Sequence, residues 1–319
     1  MLAPRRLVTT ITIALAVACG AAAPAPSASP AARDIDIGAA PQGIAFDFGS
    51  VWVGASDKGE VERLDPASGT IQTRIKVGDP AKQSSRARVY HGVPVAVASG
   101  FGSIWATGAD ETLTRVDPKT LRIDSFPIGI TGSAIAVSED AVWVASYDDG
   151  ALLHFDPAAD RVAAVVRDLG TLQEIVAAAG SVWATSRSGH EVVRFDAKTG
   201  GITARIPVER NVQSLAIGGG ALWVTRESPR GLLRIDPATN AVTATYPAED
   251  AWGVGADIVF ADDGLWLGNV ARVDPASGKV LARATAPLGD EQIAMTLGGG
   301  SLWIVEATKI RQVPLALVK

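Results

Sequence analysis

Three histidines, a single cysteine and two polar loops hold most of the residues that could do chemistry in this 319-residue chain. His91 lies in the stretch from Asp79 to Pro94 with Lys82, Arg86, Arg88 and Tyr90. The stretch from Ala248 to Gly255 holds Glu249, Asp250 and Trp252. Acid–base catalysis needs a donor and an acceptor with tuned pKa values. Only His91 with Glu249, Asp250 or Glu306 offers such a pair. His154 stands where sister phrases carry Arg, and His190 sits in a short polar loop. No pair of histidines has metal-ligand spacing. Asp148-Asp149-Gly150 and Asp262-Asp263-Gly264 lack the alternating oxygen ligands of a calcium loop and read as turns. There is no nucleophile elbow and no glycine-rich phosphate loop opening a helix. No cofactor and no metal are expected.

Binding needs less. Tyr147, Arg187, Arg226, Glu227 and Glu306 follow tryptophan-bearing segments in loops that differ from one another. Gln42, Gln173 and Gln213 each stand ten residues before a tryptophan. Recurrence at a fixed offset places their amides at equivalent points of a repeated unit, where they could ring the mouth of a channel. With Arg88, Tyr90, His91, Glu249, Asp250 and Trp252 they form the candidate surface for a polar ligand or a protein partner.

These residues are positioned by a repeat. Trp52, Trp105, Trp143, Trp183, Trp223, Trp266 and Trp303 all sit in one local phrase, as in GSVWVGAS, GSVWATS and GSLWIVE. Their spacings are 53, 38, 40, 40, 43 and 37 residues. A second phrase follows six of them, as in RLDPASG, RVDPKT and RIDPATN. A period near 40 with short strand-like runs predicts propeller blades. Gly43 to Phe46, Val51 to Ala55, Val61 to Leu64 and Ile71 to Val77 make the four strands of the first blade. Asp65-Pro66-Ala67-Ser68-Gly69 supplies the turn: Asp bonds its own backbone, Pro presets φ and Gly accepts positive φ. The two inner strands are apolar on both faces, as between neighbouring blades, and the outer two alternate. The tryptophans are expected to fill the gaps between blades.

Seven phrases predict an all-β, seven-bladed propeller over residues 34–319. The last repeat offers three strands, ending with Ile310 to Val313. Asp34-Ile35-Asp36-Ile37-Gly38 resembles the end of an outer strand and is expected to complete that blade, leaving no open edge. The turns within blades are near copies of each other and share one face. The variable loops share the other, where binding is expected.

The first residues, MLAPRRLVTTITIALAVAC, read as an export signal over 1–18: Arg5 and Arg6, then an apolar run from Leu7 to Ala18 too short to span a membrane. Ala16-Val17-Ala18-Cys19 resembles a bacterial lipobox, which implies acylation of Cys19. It also fits the small-x-small rule for simple secretion into the periplasm or medium. Residues 19–33 form an Ala/Pro/Ser-rich tether. The formal charge is −5, and −7 once Arg5 and Arg6 are removed. That balance speaks against a nucleic-acid partner, which needs clustered cations. The expected partners are a small molecule or a protein, with the membrane reached through the lipid and the chain a monomer.

The phrases GSVWVGAS…VERLDPASGTIQTRIKVG and GALWVTRES…LLRIDPATNAVTATYP resemble those of the YVTN and streptogramin-lyase (virginiamycin B lyase-like) propellers. The resemblance covers nearly everything from Asp34 onward. It implies a propeller and, as one possibility for activity, a lyase or lactonase site in the central channel built from His and Glu. Tyr90-His91-Gly92 is the phrase that approaches the family's Pro-His-Gly, 14 residues before Trp105. The residues themselves favour a binding module without chemistry.

Overall fold

The computed structural model describes residues 31–88, 92–208, 212–227, 230–247, 257–261, 264–268, 270–283 and 292–318. They form seven four-stranded antiparallel sheets, each in sequential meander order except the last. Blade 1 comprises Pro41–Asp47, Ser50–Ala55, Glu60–Leu64 and Ile71–Lys76. Blades 2 to 6 repeat it, with innermost strands Ala96–Gly100, Ala134–Val137, Leu172–Ala178, Val212–Gly218 and Ile258–Ala261. Blade 7 takes Gln292–Gly298, Ser301–Glu306 and Lys309–Pro314 from the C-terminal end, and its outer strand, Arg33–Ile35, from the N-terminal end.

That closing strand pairs Arg33 with Gln312, Asp34 with Arg311 and Ile35 with Ile310. It begins one residue earlier than expected and stops at Ile35, because Asp36 Oδ1 turns back to accept the Gly38 N–H at 2.7 Å. Ile37 is nevertheless buried and packs with blade 1. Asp34 accepts from Lys309 Nζ at 2.6 Å and Arg311 Nε at 2.8 Å, pinning the splice from its outer side.

The second strand of every blade carries the motif Trp and is buried almost throughout. The innermost strands put apolar residues into the interfaces on both sides, as expected, but are less buried than the second strands. Leu172–Ala178, for example, is mostly half-buried. Alternate residues still enter the clusters on either side, Ile175 towards blade 3 and Val176 towards blade 5, while the starts of these strands border the channel.

Seven apolar clusters fill the seven blade interfaces. Trp52 packs with Ile104 and Val116 of blade 2, Trp105 with Val142 and Phe155 of blade 3, and so on round to Trp303, which packs with Val51 and Leu64 of blade 1. Trp52, Trp105, Trp143, Trp183, Trp223 and Trp266 each carry a planar cap from the third strand. Arg63 lies 5.2 Å from the Trp52 ring centre and Arg194 lies 4.6 Å from that of Trp183. In blade 3 His154 takes this role, stacked on Trp143 at 4.5 Å.

The same arginines reach the next blade. Arg63 donates to Pro118 O at 3.3 Å and Arg194 to Pro237 O at 2.7 Å, both in the next Asp-Pro turn. At the splice Gln312 and Arg33 share the task, each donating to Pro66 O at 3.1 Å. The turns are themselves held by their Asp: Asp65 Oδ1 accepts from the Ala67 and Ser68 N–H groups at 3.0 and 2.7 Å. These donors hold the Asp65 carboxyl below the usual carboxylate range.

Candidate functional site

The chain enters each innermost strand from the variable-loop side. The first residues of those strands therefore surround that end of the channel. They enclose a cavity of about 550 Å³ lined from all seven blades. Gln42, Gln173 and Gln213 line it, as their shared offset from Trp predicts.

One position further along is a ring that the sequence reading missed. Nine residues before each motif Trp stand Gly43, Ala96, Ala134, Glu174, Ser214, Asp257 and Ala294, and all seven line the cavity. Five are small or hydroxylic. Two are carboxylates, in blades 4 and 6, with Ser214 of blade 5 between them. The signal was available in principle: aligning the repeats on Trp shows acids at a position otherwise occupied by Gly, Ala and Ser. Glu174 was obscured because it reads as one polar residue in LQEIVAA, and Asp257 because it reads as the end of a loop.

Glu174 Oε1 accepts from the Ile175 N–H at 3.1 Å and has no other donor among the described residues. Burial pushes its carboxyl up to about 8, and the Asp257 carboxylate adds to the rise. Asp257 is better served: Oδ1 accepts from the Ile258 N–H at 2.9 Å and Oδ2 from the Met295 N–H at 2.7 Å. The Ser214 hydroxyl also donates to it. Burial still outweighs these donors and raises the Asp257 carboxyl. The hydroxyl of Thr185 donates to Gln213 O at 3.0 Å and accepts from the Glu174 N–H at 3.0 Å, fixing blades 4 and 5 around the site.

The remaining candidates divide between this cavity and its rim. Arg187 pairs with Glu227 at 3.0 Å, and Glu227 also accepts from the Gln213 amide, so these three form one network at the blade 4–5 rim. Arg226, expected in a loop, lies in the strand Ala221–Glu227, is buried, and pairs in register with Gly231. Glu306 is also buried and faces Lys309 at 3.4 Å and Arg311 at 3.6 Å, within the network that secures the splice. Tyr147 donates its backbone N–H to Ser133 Oγ at 3.0 Å. The backbone N–H of exposed Arg88 donates to Asp148 Oδ2 at 2.9 Å. Its neighbour Arg86 pairs with Glu111 and lies 3.5 Å from Asp149. The start of the first long loop is thus fastened to blades 2 and 3. Tyr90, His91, Glu249, Asp250 and Trp252 lie outside the described residues, as does Cys19. Among the described residues no group of three or more His, Cys, Asp or Glu is arranged to hold a metal ion.

Fold and site together define a seven-bladed β-propeller with a polar pocket at one end of its channel. The structure is similar to that of a catalytically inactive variant of virginiamycin B lyase from Staphylococcus aureus with quinupristin. The TM-score is 0.71 at 14% identity, over 88% of this chain and 98% of that one. It is also similar to the computationally designed protein Ika8, with a TM-score of 0.65 at 13% identity, over 85% of this chain and 82% of that one. At such identities the likeness is one of fold, and a designed protein shares it. No family model and no curated protein matches the chain.

Proposed function

We propose that this chain is an extracytoplasmic, lipid-anchored propeller that binds a small polar ligand in the end of its channel, without transforming it. The observation that carries this reading is the cavity itself. It has three glutamine amides, a serine hydroxyl and two carboxylates converging on a space of about 550 Å³, a common size for a small-molecule site. A thermal-shift screen of amino acids, amines, sugars and nucleosides should find at least one class that raises the melting temperature. Gln42→Leu with Gln213→Leu should abolish that shift. Shifts that survive both changes would place the ligand elsewhere.

A second reading is supported by Glu174. A carboxyl titrating near neutrality has the property a general acid or base needs, and virginiamycin B lyase shares the fold. Turnover of quinupristin or of a simple lactone, lost in Glu174→Gln, would establish it. The binding reading expects no turnover.

The anchor rests on the sequence alone. Cys19 ends the apolar run and an Ala/Pro/Ser-rich tether follows. Lipid on Cys19 with more than one acyl chain would hold the propeller stably at a membrane. Cys19→Ser should move the protein from the membrane to the soluble fraction and end fatty-acid labelling. Unchanged fractionation of that variant would favour simple secretion.

A further inference from the structure

We propose that the channel site selects a ligand bearing a protonated amine, held between Glu174 of blade 4 and Asp257 of blade 6. The inference rests on the polar-ligand reading of the cavity and names the class of ligand.

Three observations carry it. The first is the ring. Where Glu174, Ser214 and Asp257 form a continuous arc, the other four positions are Gly43, Ala96, Ala134 and Ala294. Small residues opposite the acids leave room for a ligand in front of them. The second is an unused acceptor. Glu174 is half-buried, yet among the described residues its carboxyl has one donor, the adjacent Ile175 N–H at Oε1. Oε2 has no protein donor among the described residues, and the side chain borders the cavity. A half-buried carboxylate oxygen with no protein donor leaves its acceptor sites to water, a proton or a donor on a ligand. The third is the sign of the lining. Among the described lining residues Glu174 and Asp257 are the only charged ones, with no Lys, Arg or His. Arg187 of the rim network is paired with Glu227.

An ammonium group fits this donor set. It offers N–H donors to Glu174 Oε2, to the second lone pairs of Asp257 and to the Ser214 oxygen. A divalent cation fits less well, because it asks for six or more oxygens and both Asp257 oxygens already accept backbone N–H groups. The glutamine amides would read the rest of the ligand. Without a cation the acid pair keeps a proton at neutral pH, since burial raises both carboxyls and the Asp257 charge raises Glu174 further. The amine displaces that proton, so binding at pH 7 releases it to solvent and affinity rises from pH 6 to pH 8.5.

The test uses the full chain in mild detergent, with spermidine as the amine, maltotriose as a neutral polar probe and MgCl2 as the metal. Isothermal titration in two buffers of different ionisation enthalpy counts the protons. Spermidine should bind with release of up to one proton at pH 7 and at least tenfold more tightly at pH 8.5 than at pH 6. Glu174→Gln and Asp257→Asn should each weaken it at least tenfold and reduce proton release. The pH dependence of the wild type stands even if one variant folds poorly. Maltotriose binding that needs Gln42 and Gln213, with no spermidine binding, would overturn the amine and leave the polar-ligand reading intact. Magnesium binding that matches spermidine and is lost in Glu174→Gln would replace the amine by a metal. Failure of all three probes, together with an empty thermal-shift screen, would overturn both the amine and the pocket.

Discussion

Glu174 and His154 show how burial acts on single residues. Each sits in a strand of the repeat at a position usually held by another residue type. His154 stacks on Trp143 where an arginine caps the Trp in other blades, and burial holds its imidazole below its ordinary range. It therefore serves as a flat neutral cap. Glu174 has the opposite shift, and its consequence for stability can be worked out. In the unfolded chain it titrates near 4.5, and in the fold up to about 8. Between those values the folded protein binds the proton and the unfolded chain does not, so stability falls as pH rises from about 5 to 8. Glu174→Gln should flatten that fall and raise the melting temperature at pH 8. Calorimetry at pH 5, 6.5 and 8 would show it, and parallel curves for the two proteins would refute the role assigned to this carboxyl.

Every blade interface has a Trp in an apolar cluster. At three of them, those of Trp52, Trp105 and Trp183, an arginine from the third strand caps the ring and then hydrogen-bonds to the next blade's Asp-bearing turn. Trp183 illustrates it. It is buried against Leu222, Val224 and Ile235 of blade 5, and Arg194 covers its face before reaching Pro237 O. Trp183→Ala removes the cluster's largest member and the platform of the arginine. It should cost about 3–5 kcal/mol, as for other large-to-small aromatic changes in packed cores. Urea denaturation followed by circular dichroism would measure it. A cost under about 1 kcal/mol would mean that the blade interface can collapse around the void.

A ring has no ends, and here the two chain termini share a blade. Arg33 touches the turn of blade 1, Asp34 holds Lys309 and Arg311, and Ile35 and Ile37 enter the cluster around Trp303. Deleting residues 33–38 should remove on the order of 3–6 kcal/mol from the burial of Ile35 and Ile37 alone. It also exposes the edge of Lys309–Pro314. A truncated protein should melt well below the parent and show concentration-dependent association by light scattering. An unchanged melting curve would mean that the ring closes through its inner strands without this outer one.

Much of this was legible in the chain, for a physical reason. Blades are local units: strand, turn and Trp position are set by side-chain alternation and by turn residues such as Asp65-Pro66 and Gly69, all within about 40 residues. The count of seven, the splice at Asp34 and the placing of Gln42, Gln173 and Gln213 at the channel follow from that repetition. The acid pair did not. Glu174 and Asp257 are 83 residues apart and neither has a partner nearby in sequence. Only closure of the ring turns equal offsets from Trp into a shared cavity. There the loss of water raises both groups, and the Asp257 charge adds to the rise of Glu174. Tertiary structure likewise separated Arg226 and Glu306 from the candidates. Their residue types suggest binding, but both are buried, and burial depends on which blade lies alongside.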